Sequence, residues 1–126
     1  MKIVDVIDRN TGLLEELTAL WRQSVAQTHT FLTGKDIDEI ENYVPQALKE
    51  VEHLVVAQNN GDYLGFMGIE KHRLEMLFLA PQCMGQGVGR KLIEYGKYDD
   101  LMYDKSSELY KRVKSVKIKR TQNKNN

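Results

Sequence analysis

The chain has 126 residues, 41% of them hydrophobic, and its 18 basic and 18 acidic side chains cancel. That length suits a single domain, 1–126, with a core that needs no staples, and the balanced charge excludes a globally basic nucleic-acid binder or membrane-surface protein. The single cysteine, Cys83, leaves no intrachain disulfide and suits a reducing compartment; with no apolar stretch near the roughly 18 residues of a membrane span, a cytoplasmic protein is expected.

Ile3 to Ile7 reads as a short strand. Asn10-Thr11-Gly12 then offers a helix start that Asn10 or Thr11 can cap. Leu13, Leu14, Leu17, Leu20, Trp21 and Val25 recur at intervals of three and four, which draws one apolar stripe along a helix. A second helical pattern begins near Asp36, with Ile37, Ile40, Val44, Ala47, Leu48 and Val51 on one side. Pro45 is expected to break or kink it, because proline lacks an N–H and its ring clashes with the preceding turn. Leu54 to Ala57 is strand-like and runs into Asn59-Asn60-Gly61-Asp62, a two-residue hairpin signal. Tyr63 to Ile69 returns as a strand, Glu70 to Arg73 turns, and Leu74 to Ala80 forms the third member of the meander. Strict alternation puts Leu74, Met76 and Phe78 of that strand on one face. A basic helix follows from about Val88 to Tyr95. The predicted class is α+β, with helices packed on both faces of a mostly antiparallel, twisted sheet.

The most informative stretch joins that third strand to that last helix. An apolar run ends at Pro81, glycines alternate at Gly85, Gly87 and Gly89, and Arg90 and Lys91 add positive charge at the helix start. Glycines let a ligand approach the backbone, and the first turn of a helix offers unpaired N–H groups to an anion. The stretch therefore predicts a phosphate cradle. A dinucleotide fingerprint does not fit, since Arg90 stands at the third glycine position, and no Gly-Lys-Ser/Thr follows to make a P-loop. Gln82-Cys83-Met84-Gly85-Gln86-Gly87 resembles the acetyl-CoA signature of the GNAT N-acetyltransferase superfamily, Gln/Arg-x-x-Gly-x-Gly/Ala, behind a strand of the family's usual form. Met84 stands where many members carry arginine.

The resemblance covers about residues 1–95 and implies acetyl transfer from acetyl-CoA, with no metal, to the amine of a small molecule or protein. An amine with a pKa near 10 must lose a proton before it attacks. Glu75 matches the family's usual base, although a solvent-facing role is equally open, and His72 is a weaker candidate in the turn. The resemblance assigns the cofactor to Leu77, Phe78, Leu79, Gln82, Met84, Gly85, Gln86, Gly87, Val88, Gly89, Arg90 and Lys91. Within that set, the backbones of Leu77 and Leu79 would pair with the pantetheine arm and polarise the thioester carbonyl. Between the first two helices, His29 and Phe31 are candidate acceptor-binding residues; Phe31 with Leu32, and Tyr43 beyond them, also fit core packing. Cys83 reads as a bystander thiol. Beyond Tyr95 the pattern departs from the family. Tyr110 matches the tyrosine that protonates the leaving thiolate, but Lys114-Ser115 stands where Gly-Phe is usual, and Val116 to Arg120 reads as one edge strand. A sheet so reduced at its C-terminal strands exposes an edge, which a homodimer would cover. The competing reading is a catalytically weak or inactive acyl-CoA-binding protein; neither nucleic acid nor membrane is expected as a partner.

Overall fold

A computed structural model describes residues 1–102 of the chain. Four strands, β1 (Lys2–Asp5), β2 (His53–Asn59), β3 (Asp62–Glu70) and β4 (Arg73–Leu79), form an antiparallel sheet in the order β1-β2-β3-β4. β1 stops short of the predicted Ile7, which lies beyond the sheet and is 94% exposed. Helix α1 (Thr11–Thr28) starts where Asn10 Oδ1 accepts the Leu13 N–H at 2.9 Å, so Asn10 rather than Thr11 is the cap. Its stripe packs as the spacing predicts: Leu13, Leu17, Leu20, Trp21 and Val25 are buried and Leu14 is half-buried. Thr18 tolerates burial because its hydroxyl donates to the Leu14 carbonyl at 2.7 Å.

The second helical pattern is two helices, α2 (Gly34–Glu41) and α3 (Val44–Glu50). Pro45 sits in the first turn of α3, where its missing N–H costs no helical hydrogen bond. At the junction the Asn42 and Tyr43 amides fall back on the carbonyls of Glu39 and Ile40. Tyr43 itself is 74% exposed, so the expected core packing of its ring is not observed. The C-terminus of α3 is held by one side chain. Arg9 Nη1 donates to the carbonyls of Leu48 and Lys49 at 3.0 Å and to that of Val51, while Nη2 reaches Glu52 O at 3.1 Å. The guanidinium thus satisfies carbonyls that a helix end leaves open and ties the β1–α1 connection to the start of β2.

Both hairpins are two-residue turns. Asn60 and Gly61 adopt φ of 52° and 89°, as the Asn-Gly signal requires. Lys71 and His72 adopt φ of 51° and 65°, a conformation unusual for side chains of their size. Carboxylates brace this second turn: Glu52 Oε1 accepts the Lys71 N–H, and Glu70 Oε1 accepts the Glu52 N–H, each at 2.9 Å.

The β3–β4 pairing slips once. Gly68 opposes Met76 but Ile69 opposes Leu74, which leaves Glu75 as the extra residue of a β-bulge. Leu74 therefore does not share a face with Met76 and Phe78, contrary to the alternation read from the sequence. Phe66 meets Phe78 at a centroid distance of 5.7 Å, and Gly68 lies so close to Met76 and Val51 that a Cβ there would meet Met76 Cε at 2.6 Å. On the other face, helix α4 (Val88–Tyr98) brings Gly96 against Met67 and Ile69, and Gly89 against Leu77 and Leu79. Helices therefore cover both faces, and α4 runs three residues beyond the predicted Tyr95.

Candidate active site

The site grows from the C-terminal end of β4. Ala80 donates its N–H to Leu64 O at 2.9 Å, the last tie to β3 before Pro81–Cys83 turn as a short 3₁₀ segment. Cys83 points inward and is buried, consistent with a packing role for its thiol. The Gln86 N–H bonds to Cys83 O at 3.3 Å, and Gln86 Nε2 reaches Gln82 O at 3.0 Å, so these glutamines shape the loop. Gly85 and Gly87 adopt φ of 80° and 87°, the left-handed region open to glycine at little cost. A Cβ built on either would meet nothing within 4 Å, so the loop borders open space. Val88 and Leu92 are buried and anchor α4 beneath it. The first backbone bond into that helix is Lys91 N–H to Gly87 O at 3.1 Å. The amides of Val88, Gly89 and Arg90 precede it and have no acceptor among the described residues, as the first turn of a helix requires. Here Gly89 differs from its neighbours: its missing side chain faces Leu79 and Leu77 rather than the loop's open side. Arg90 and Lys91 are exposed at the helix start, Arg90 pairing along the helix with Glu94 at 3.7 Å.

The strand feeding this loop has an available edge. Among the described residues no strand lies outside β4. Register decides which of its amides point there. Ala80 bonds directly across to Leu64, so Leu79 opposite Gly65 and Leu77 opposite Met67 fall at the alternate, non-hydrogen-bonded positions. The N–H and C=O groups of Leu77 and Leu79 consequently point away from β3, while Phe78 is bonded into the sheet. A row of main-chain donors and acceptors therefore leads from β4 into the glycine turn.

Glu75 lies at the other end of the strand. Leu79 lies four positions further on, about 13 Å of extended chain. Two consecutive residues around a bulge no longer alternate strictly, and Glu75 and Met76 both line a cleft of about 540 Å³ together with Ala47, Val51, Glu70 and Lys71. The Glu75 side chain is 43% exposed and stands 3.6 Å from the Arg73 guanidinium. Arg73 carried no signal in the sequence beyond its place in a turn. His72 occupies the left-handed turn itself.

His29 and Phe31 lie together, ring centroids 5.6 Å apart at 53°. Phe31 is 77% exposed and does not cap the core; Leu32 takes that place. The α1–α2 connection is fixed at both ends. The His29 N–H bonds to Val25 O at 2.8 Å, and Thr33 and Asp36 form a reciprocal capping box at the start of α2. Arg22 braces the two helices, its Nη1 at 2.8 Å from Asp38 and 2.6 Å from Glu41, and the hydrogen bonds to Asp38 and then Glu41 raise its pKa further above its ordinary value. α1 begins over β1 and β2, where Gly12 and Leu13 share a cleft with Val4 and Val56, and it packs onward against β3, β4 and the 3₁₀ turn. The loop carrying His29 and Phe31 therefore emerges on the β4 side of the sheet. Tyr110 and the segment from Val116 to Arg120 lie outside the described residues.

A four-stranded antiparallel meander, a glycine turn opening a helix and a strand edge beside it make up the candidate site. The chain matches the Acetyltransferase (GNAT) domain model over residues 17–115 and belongs to that family. It is 36% identical over 81 residues to the peptidyl-lysine N-acetyltransferase YjaB of Salmonella typhimurium, a match covering 64% of this chain and 56% of that protein. The chain thus spans little more than half the length of the curated relatives it matches. Apo-form YjaB from Escherichia coli superposes with a TM-score of 0.66 at 35% identity, covering 79% of this chain and 67% of that one. A GNAT family acetyltransferase from Brucella melitensis in complex with acetyl-CoA shares the fold, with a TM-score of 0.57 at 19% identity over 78% of this chain and 66% of that one.

Proposed function

We propose that the protein transfers the acetyl group of acetyl-CoA to a primary amine, with the ε-amine of a lysine as the favoured acceptor. The observation that carries this reading is the continuous line of main-chain groups from the outer edge of β4 into the Gly85–Arg90 cradle. The diphosphate fits the amides of Val88, Gly89 and Arg90, where a helix start favours an anion. Gln82, Met84, Gln86 and Val88 shape the loop, and Arg90 and Lys91 offer charge to the phosphates. The edge amides of Leu77 and Leu79 fit a pantetheine arm laid along the strand as an added partner, with Phe78 between them. The bound thioester supplies an activated acetyl carbon.

Glu75 is the proposed base and takes the amine's proton, directly or through a water. Attack then forms the C–N bond as the C–S bond breaks, and Tyr110 is the proposed proton donor to the departing thiolate. His29 and Phe31 wall the acceptor side. Named activity in the relatives supports a lysine acceptor. Such a transfer needs no metal. A cytoplasmic setting, a homodimer through an exposed C-terminal sheet edge that leaves the Leu77 and Leu79 groups to the cofactor, and a lack of nucleic-acid or membrane partners belong to the same proposal.

The test couples calorimetry to turnover. Wild-type protein binds CoA in titration and releases free CoA from acetyl-CoA when given Nα-acetyl-lysine amide. Glu75→Gln keeps the affinity and loses roughly 10²-fold or more in rate, the usual share of a general base. CoA binding without turnover, unchanged by Glu75→Gln or Tyr110→Phe, would replace this reading with that of an inactive acyl-CoA-binding protein.

A further inference from the structure

The end of α1 holds a hydrogen-bond chain whose proton count can be solved. Thr28 Oγ1 lies 2.8 Å from the Ser24 carbonyl oxygen and 2.8 Å from His29 Nδ1. A carbonyl can only accept, so the one proton of the Thr28 hydroxyl is committed to Ser24. The second bond then requires Nδ1 to be the donor. In its neutral form His29 is thereby held as the Nδ1–H tautomer, with the lone pair on Nε2. Among the described residues no partner stands against Nε2. The backbone beneath the ring is tied to Val25, and Phe31 flanks the ring at a centroid distance of 5.6 Å.

We infer that Thr28 is a positioning residue that fixes this tautomer, so that Nε2 of His29 accepts a hydrogen bond from an N–H of the acceptor amine while the exposed Phe31 ring supports the acceptor's aliphatic chain. The inference rests on the acetyl-transfer reading above and narrows its acceptor to a primary amine at the end of an alkyl chain. Such a group pairs an N–H donor with methylenes, the two chemistries that Nε2 and Phe31 present together. The opposite tautomer would offer Nε2–H, which could bond only to the amine's lone pair, the electrons that the attack requires. Thr28 thus acts on the acceptor through His29 and has no role in holding CoA.

Nitrogen-15 spectra of the histidine rings in the full chain, recorded where His29 is neutral, test the tautomer without any catalysis. The expected result is a protonated Nδ1 and an unprotonated Nε2 in the wild type and in Thr28→Ser. Thr28→Val should move the proton toward Nε2. In turnover of Nα-acetyl-lysine amide, Thr28→Val and His29→Phe should each raise the acceptor KM by about tenfold, the worth of one such bond. Thr28→Ser should restore the wild-type value, and CoA affinity should not change. A wild-type His29 carrying its proton on Nε2 overturns the inference, and so does a tautomer shift in Thr28→Val with an unaltered acceptor KM. Loss of the whole acetyl-transfer reading would show differently, as wild-type protein that does not turn over, whether or not it binds CoA.

Discussion

Three glycines that look equivalent along the chain have different work in the molecule. Gly85 and Gly87 are required by backbone conformation, whereas Gly89 is helical and only packs against Leu79. Gly89→Ala places its Cβ 3.5 Å from Leu79 Cδ1, an ordinary contact. It should leave CoA affinity within about twofold while improving the helix by up to about 1 kcal/mol, as urea unfolding and calorimetry would show. Gly87→Val, in contrast, forces a β-branched residue into a left-handed conformation beside the cradle. CoA affinity should fall by at least tenfold; retained affinity would remove the phosphate assignment from this loop. Tyr95 gives a pH prediction at the same scale. Burial, the hydrogen bond to Asp99 and the charges of Asp99 and Asp5 all raise its pKa above the ordinary tyrosine value. The folded state therefore holds this proton more tightly than the unfolded chain does, so the contribution is complete below a pH of about 10 and is lost as pH rises through the folded-state pKa. Replacing Tyr95 by Phe should flatten the alkaline fall of the urea midpoint relative to wild type.

Among the elements, boundaries were legible wherever a local residue dictates them. Asn10 caps α1, Asn60-Gly61 turns the first hairpin and Pro45 starts α3, each for a reason contained in a few neighbouring residues. The bulge at Glu75 was not legible, because it depends on the register of β3 against β4 and no single residue encodes it. The same slip undid the one-face reading of Leu74, Met76 and Phe78. Core packing, expected of Tyr43 and one of two readings for Phe31, fails for a related reason: aromatic type suggests burial, but both fall at helix junctions that no second layer covers among the described residues. Arg9 was missed altogether, since its carbonyl partners lie about forty residues away in sequence. Its removal should matter. Arg9→Ala leaves the end of α3 without a donor and should cost on the order of 2 kcal/mol, the range for hydrogen bonds to a charged group. Lysine should rescue only part of that loss, because one ammonium cannot reproduce the planar fork. Chemical denaturation of the three proteins measures both effects.

For the molecule as a whole, the cradle, the β4 edge and the α1–α2 loop gather on one side because α1 crosses the sheet before the chain turns back. The turn from β4 through Gly85 and Gly87 into a helix was readable from Pro81, the alternating glycines and the apolar period that follows; the outward direction of the Leu77 and Leu79 amides needed the pairing of Ala80 with Leu64. Ligand binding to this arrangement should stabilise the entire fold. At CoA concentrations a hundredfold above its dissociation constant, the gain is about 2.7 kcal/mol by mass action. A thermal-shift titration should show that rise with CoA and not with NAD or ATP; a larger shift with either nucleotide would point to a different ligand class. The turn at Gly85 and Gly87 has one more consequence. Both residues hold the backbone geometry that a mirror-image amino acid prefers. D-alanine introduced by peptide ligation would follow the same path while narrowing the freedom of the unfolded chain, for a gain of about 0.4–1 kcal/mol per position if it matches the usual benefit of replacing a compatible glycine. Handedness at two atoms would then be enough to harden the loop.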